Sequence, residues 1–138
     1  MLLINTDILL ALNKRRRSHD VEAWFSRQRD NDLFLSVVSI GEIERGIALQ
    51  RRSNAIFASA LAEWLDQVLA TFSDRILPFD LAAARRWGPL SAAFGHHGAD
   101  LQIAAMALEH GLTVVTRNVS HFDLTGVSVV NPFQPRKP

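Results

Sequence analysis

No cysteine occurs in this chain, which excludes a disulfide scaffold, a thiolate zinc site and a cysteine nucleophile. That suits a reducing compartment, and the expectation is cytoplasmic. No apolar run approaches the ~18 residues that a membrane span needs. The start, Met1-Leu2-Leu3-Ile4, lacks a basic lead and soon meets Asn5 and Asp7, so it does not read as a signal peptide. Internal repeats, low-complexity stretches and a Gly-x-Gly-x-x-Gly turn are all missing, the last removing the expected fingerprint of a dinucleotide-binding module. A formal net charge of +1 is no mark of a nucleic-acid binder. Only the local clusters Lys14-Arg15-Arg16-Arg17, Arg51-Arg52 and Arg85-Arg86 offer phosphate neutralisation, and each also reads as a solvated helix end.

What is present is one domain's worth of core. The 138 residues are 48% hydrophobic and 21% charged, which suits a single globular unit, expected over residues 1–133 with a short polar tail at 134–138. Short apolar runs rich in β-branched residues alternate with segments of helical period. Strands are expected at Leu2–Ile4, Leu33–Ser36, Ile76–Leu77, Thr113–Thr116 and Val127–Val130. Helices are expected from about residue 6 to Leu12, over Asp20–Arg29, from Ser39 to about Gln50, and over Ile56–Val68. Two more are expected after Asp80: Leu81–Trp87, with a separate short piece at Leu90–Phe94, and then Asp100 to about residue 110, stopped by Gly111. Ser39-Ile40-Gly41-Glu42 has capping-box spacing. The alternation predicts an α/β domain with a mostly parallel central sheet and helices on both faces.

Acids stand just beyond several of these strands. In open α/β sheets ligands bind outside the carboxyl ends of the strands. Acids gathered there would hold a hard divalent cation through oxygen. Each one has a plainer reading. Glu42 would close a capping box, Asp100 would complement a helix dipole, and Asp7 would cap the first helix. The functional reading therefore rests on their convergence at one edge, where helix N-termini would add N–H donors for phosphate.

Four blocks carry a resemblance: Leu2 to Leu9 around Asn5-Thr6-Asp7; Leu35 to Ile47 around Glu42; Gly98 to Ala105 around Asp100; and Thr113 to Asn118. Together, and in this order, they resemble PIN-domain ribonucleases, and more closely the VapC toxins of bacterial toxin–antitoxin modules. The resemblance implies a Mg²⁺- or Mn²⁺-dependent endoribonuclease acting on a structured RNA such as tRNA or rRNA, partnered by a VapB-type antitoxin and forming a homodimer. It implies metal ligands at Asn5, Glu42 and Asp100, with Thr116 and Asn118 orienting water or phosphate. The family's leading Asp falls on Asn5 and its fourth acid on His121, with Asp123 nearby, so two of four acids are replaced. His96 and His97 read as loop residues.

Asn5 keeps a carbonyl oxygen but removes a full charge, worth roughly 4 kcal/mol against a cation ~4 Å away at an effective dielectric near 20. Such a chain is either a toxin silenced by a near-isosteric change or a natural, weak member of the family. A catalytically dead PIN-fold protein-binding module is the alternative. A haloacid-dehalogenase-like phosphatase, suggested by Asn5-Thr6-Asp7 after the first strand, comes behind it.

Overall fold

In the computed structural model, which describes residues 1–13, 19–96 and 98–133, strands and helices alternate from the first residues. The elements are β1 (Leu2–Ile4), α1 (Thr6–Ala11), α2 (His19–Ser26), β2 (Leu33–Ser36), α3 (Val37–Gln50), α4 (Ala55–Thr71), β3 (Ile76–Leu77), α5 (Leu81–Phe94), α6 (Ala99–His110), β4 (Thr113–Val115) and β5 (Val129–Val130). The strands form one five-stranded sheet in the order β3-β2-β1-β4-β5, with every described pairing parallel. The expected α/β class is what the chain adopts.

Strand alternation divides the core. Leu3 pairs with Val114 and Ile4 with Val115 across β1 and β4. Leu3 and Val114 point to one face, where Ile103, Ala104, Ala107 and Phe122 pack on them. Ile4 and Val115 point to the other, against Ile8, Leu35, Ile43, Ile47, Leu61 and Leu65. Adjacent residues thus serve opposite layers, as a pleated strand requires. Burying each Leu or Ile contributes about 1.5–3 kcal/mol. With both faces covered, the sheet's carboxyl edge is where polar side chains can gather.

Several boundaries differ from expectation. Helix α3 starts at Val37, two residues before Ser39, because the strand-ending Ser36 is itself the cap: its Oγ accepts the Val38 N–H at 2.9 Å. Ser39 and Glu42 therefore do not form a capping box. Helix α2 stops at Ser26, short of Arg29. Beyond it, Asp30–Asp32 forms a 3-10 turn, held by the Arg75 guanidinium, which donates to the carbonyls of Asp30, Leu33 and Thr71. The expected break before Leu90 is absent, and α5 runs unbroken through Pro89. Pro89 is exposed, Asp80 Oδ1 caps the helix by accepting the Ala83 N–H at 2.9 Å, and Arg86 pairs with Glu109 of α6 at 2.9 Å.

Strand β4 ends at Val115, leaving Thr116 just past its carboxyl end. Strand β5 begins at Val129 instead of Val127, after Gly126 turns the chain at φ +85°. Gly111 ends α6 in the left-handed conformation at φ 66°, as expected. The basic cluster Lys14–Arg17, His97 and the tail 134–138 lie outside the described residues. Among those described, no helix is long and apolar enough to cross a membrane.

Candidate active site at the carboxyl edge of the sheet

The connectivity places the chemistry. Helices α1 and α3 leave the carboxyl ends of β1 and β2, so their first turns sit at that edge. Helix α6 runs back before entering β4, so its N-terminus lies at the same edge. Asn5 follows β1, Glu42 lies in the second turn of α3, Asp100 in the first turn of α6, and Thr116, Asn118 and His121 follow β4. All six expected site residues therefore belong to one edge, and hydrogen bonds gather them into three groups.

The first group is buried and joins β1 to β4. The Asn5 N–H donates to the Val115 carbonyl at 2.9 Å, extending the ladder one residue past β1. The Asn5 side chain, 3% exposed, donates from Nδ2 to Thr116 Oγ1 at 3.2 Å. Thr116 is fully buried and donates its single hydroxyl proton to Asp7, whose two carboxylate oxygens lie at 3.2 Å each. Asn118 donates its backbone N–H to Thr116 Oγ1 at 3.0 Å, and Arg117 donates its own to Asp7 Oδ2 at 2.8 Å. Asp7 is therefore a bridge between α1 and the chain after β4, and not the cap of α1. Thr116 is too buried and too fully bonded to meet a substrate phosphate, so its hydroxyl serves this network.

In the second group, Thr6 Oγ1 lies 2.8 Å from Ser39 Oγ and 2.7 Å from Glu42 Oε1, which joins α1 to α3. Glu42 is exposed and free of the helix N-terminus. The third group is a single bond: His121 Nδ1 lies 2.7 Å from Asp100 Oδ2, and because an ionised carboxylate only accepts, Nδ1 is the donor. Asp123 is exposed in the next 3-10 turn and makes no side-chain hydrogen bond among the described residues. His96 accepts the Gly98 N–H at Nδ1, 3.2 Å, in the loop before α6.

Asn5 Oδ1 is buried with no hydrogen-bond partner among the described residues. A buried, unpaired carbonyl oxygen costs ~1–3 kcal/mol, a cost that a bound cation or water at that oxygen would relieve. Glu42 and Asp100 each use one carboxylate oxygen in the bonds above, and the other is unbonded among the described residues. An amide oxygen and two carboxylates are all hard donors, and they fit a divalent cation such as Mg²⁺ in kind. They carry one charge fewer than three carboxylates would. No cluster of three His, Cys, Asp or Glu side chains able to hold a metal occurs among the described residues.

Reading the sequence alone missed Thr6 and Ser39 as parts of this site, and counted Asp7 among the edge acids without giving it a role there. Asp7 had a signal, its place two residues from Asn5 in the turn after β1. The Thr6 and Ser39 contacts span 33 residues of sequence and had none.

The family model described as the PIN domain matches residues 2–126. The chain is 33% identical to the VapC ribonuclease Y4jK of Sinorhizobium fredii over 98% of this chain and 99% of that protein. It is likewise 33% identical to the toxin FitB of Neisseria gonorrhoeae, over 96% of this chain and 99% of that one. Among solved structures, that of FitAB bound to the IR36 DNA fragment superposes with a TM-score of 0.86 at 30% identity, covering 99% of both chains.

Proposed function

We propose, from the premise that this chain belongs to the PIN-domain family, that it is the toxin of a toxin–antitoxin pair and a Mg²⁺- or Mn²⁺-dependent endoribonuclease weakened by its amide at residue 5. The observation that carries the proposal is the unpartnered, buried Asn5 Oδ1 at the sheet edge that also presents Glu42 and Asp100. When bound there, a divalent cation would supply an activated water and neutralise charge developing on a phosphodiester. Asn5, Glu42 and Asp100 would hold it.

The remaining residues position these three. Thr116, with the Asn118 N–H, holds the Asn5 amide, and His121 holds Asp100 through Oδ2. Thr6 holds Glu42 through Oε1. Arg117 stacks its guanidinium over the Phe133 ring at 4.3 Å, which keeps a cation beside the β4 end for a phosphate to meet. The substrate is a structured RNA, tRNA or rRNA by family likeness, and the cytoplasm is where the chain would meet it.

The proposal extends to partners. Ile56 is 86% exposed and Phe57 47% exposed at the start of α4, an apolar end that the chain's own core leaves uncovered. A VapB-type antitoxin is the partner that the likeness to the FitAB complex supports, and a second copy of this chain is proposed beside it. The test is cleavage of a structured RNA across a Mn²⁺ series. The unaltered chain should cleave slowly and only at high Mn²⁺, while Asn5→Asp should gain activity and Asn5→Asp with Asp100→Ala should lose it. Inactivity of both single forms would replace the nuclease by a PIN-fold protein-binding module. Equal activity of the two would remove residue 5 from the ligands.

A further inference from the structure

The buried network after β1 and β4 has a direction, and one charge sets it. Thr116 has a single hydroxyl proton and faces two candidate acceptors, the Asp7 carboxylate at 3.2 Å and the Asn5 side chain at 3.2 Å. A hydrogen bond to an ionised acceptor is about twice as strong as one to a neutral acceptor, so the proton goes to Asp7. Thr116 Oγ1 then has only lone pairs to offer Asn5. The amide must present Nδ2 to it, which leaves Oδ1 facing away from Thr116 and unpartnered.

We infer that Asp7 is a positioning residue: its charge orders the chain Asn5 Nδ2 to Thr116 to Asp7, and thereby turns the Asn5 oxygen toward the site. The inference rests on the functional reading of that edge. It goes further in making residues 5 and 7 one unit, whose stability without metal depends on how many carboxylates the pair holds. With an acid at both positions, two carboxylates would compete for one hydroxyl proton and repel each other across it. With an acid at neither, nothing would decide which way the amide faces. Residue 7 touches no substrate in this scheme and acts only through Thr116.

The arrangement predicts a reversal of sign. In the metal-free protein, Asp7→Asn removes the charge that Arg117 N–H and Thr116 donate to, and should lower the melting temperature by about 4 °C, the usual consequence of one lost charge-assisted contact in a domain of this size. In the Asn5→Asp background the same Asp7→Asn change removes a like-charge neighbour and should raise the melting temperature instead. Melts of the four forms in EDTA therefore give the result directly. Asp7→Asn acting with the same sign in both backgrounds would overturn the inference.

A measurement on the unaltered protein guards against variants that do not fold. Its Asn5 side-chain NH₂ resonances should exchange slowly with solvent, and Thr116→Ser, which keeps the hydroxyl, should preserve them. Fast exchange in the unaltered protein would overturn the assignment of Nδ2 to Thr116. The metal reading is separated by a Mn²⁺ titration of the same samples, in which Asp7→Asn should weaken binding by about tenfold, as loss of an outer-shell partner does. Sign reversal without any Mn²⁺ response would keep this inference and reject the nuclease proposal. Mn²⁺ binding without sign reversal would do the opposite.

Discussion

Replacing Glu42 with Gln should leave the fold untouched and change only what the edge binds, whereas Ser36→Ala should do the reverse. Ser36 caps α3 through the 2.9 Å bond from the Val38 N–H, and its buried Oγ also lies 3.1 Å from Met106 Sδ. Loss of a Ser cap costs about 1 kcal/mol, with a range of about 0.5–2. In a domain of this length that lowers the melting temperature by about 4 °C. Glu42 is exposed, and its bond from Thr6 at 2.7 Å survives in Gln, whose carbonyl still accepts. The cost of Glu42→Gln should therefore stay within about 0.5 kcal/mol.

The difference appears when Mn²⁺ is added. At tenfold above the dissociation constant, a ligand of the folded state stabilises by about 1.4 kcal/mol, a shift comparable to the cap itself. The unaltered protein and Ser36→Ala should both gain that shift, while Glu42→Gln should not. Thermal melts of the three forms, with EDTA and across a Mn²⁺ series, make the comparison. A large loss of stability in Glu42→Gln with an unchanged Mn²⁺ response would return Glu42 to a purely structural role and refute the reasoning.

Three further outcomes are expected. His121→Ala frees Asp100 Oδ2 from a half-exposed imidazole, so stability should hold within about 0.5 kcal/mol while Mn²⁺ affinity falls by about tenfold, measured by calorimetry. Ile56→Ser with Phe57→Ser should likewise leave the melt of the isolated chain unchanged within about 0.5 kcal/mol, since both residues are exposed. Light scattering and binding of a VapB-type antitoxin should then show loss of assembly, and intact assembly would remove this end of α4 from the interface. Gly111→Ala, at φ 66°, should cost about 1–2 kcal/mol by denaturant unfolding, because only glycine takes the left-handed conformation freely.

Much of this was legible in the sequence because it depends on local period and strand alternation. The runs Leu2–Ile4 and Leu33–Ser36 are short, apolar and followed by helical spacing, so the α/β class and the edge that carries the site follow from them. Boundaries were less legible where one residue does two things. Ser36 ends a strand and caps a helix, and the Ser39-x-x-Glu42 spacing imitated a cap that tertiary structure had already supplied. A helix ending at Trp87 was expected because the pairing of Arg86 with Glu109, which joins α5 to α6, spans 23 residues and leaves no local mark.

At the site, the residues expected as ligands do reach one edge, but the roles of their neighbours were hidden. That Thr116 is buried and its proton committed to Asp7 is a fact of three-dimensional donor and acceptor counting. The same counting makes Asn5 Oδ1, and not its Nδ2, the atom left without a partner.

Metal-assisted hydrolysis of RNA at the edge shared by Asn5, Glu42 and Asp100 would be read from the chemical ends of the cleaved RNA. The assay is end analysis of a structured RNA incubated with the protein at high Mn²⁺, with EDTA and Asp100→Ala as controls. Attack by an activated water leaves an open phosphate monoester on one fragment, and this product should vanish with EDTA and in Asp100→Ala. Fragments ending in a 2′,3′-cyclic phosphate and formed equally in EDTA would assign the attack to the ribose hydroxyl and contradict the account.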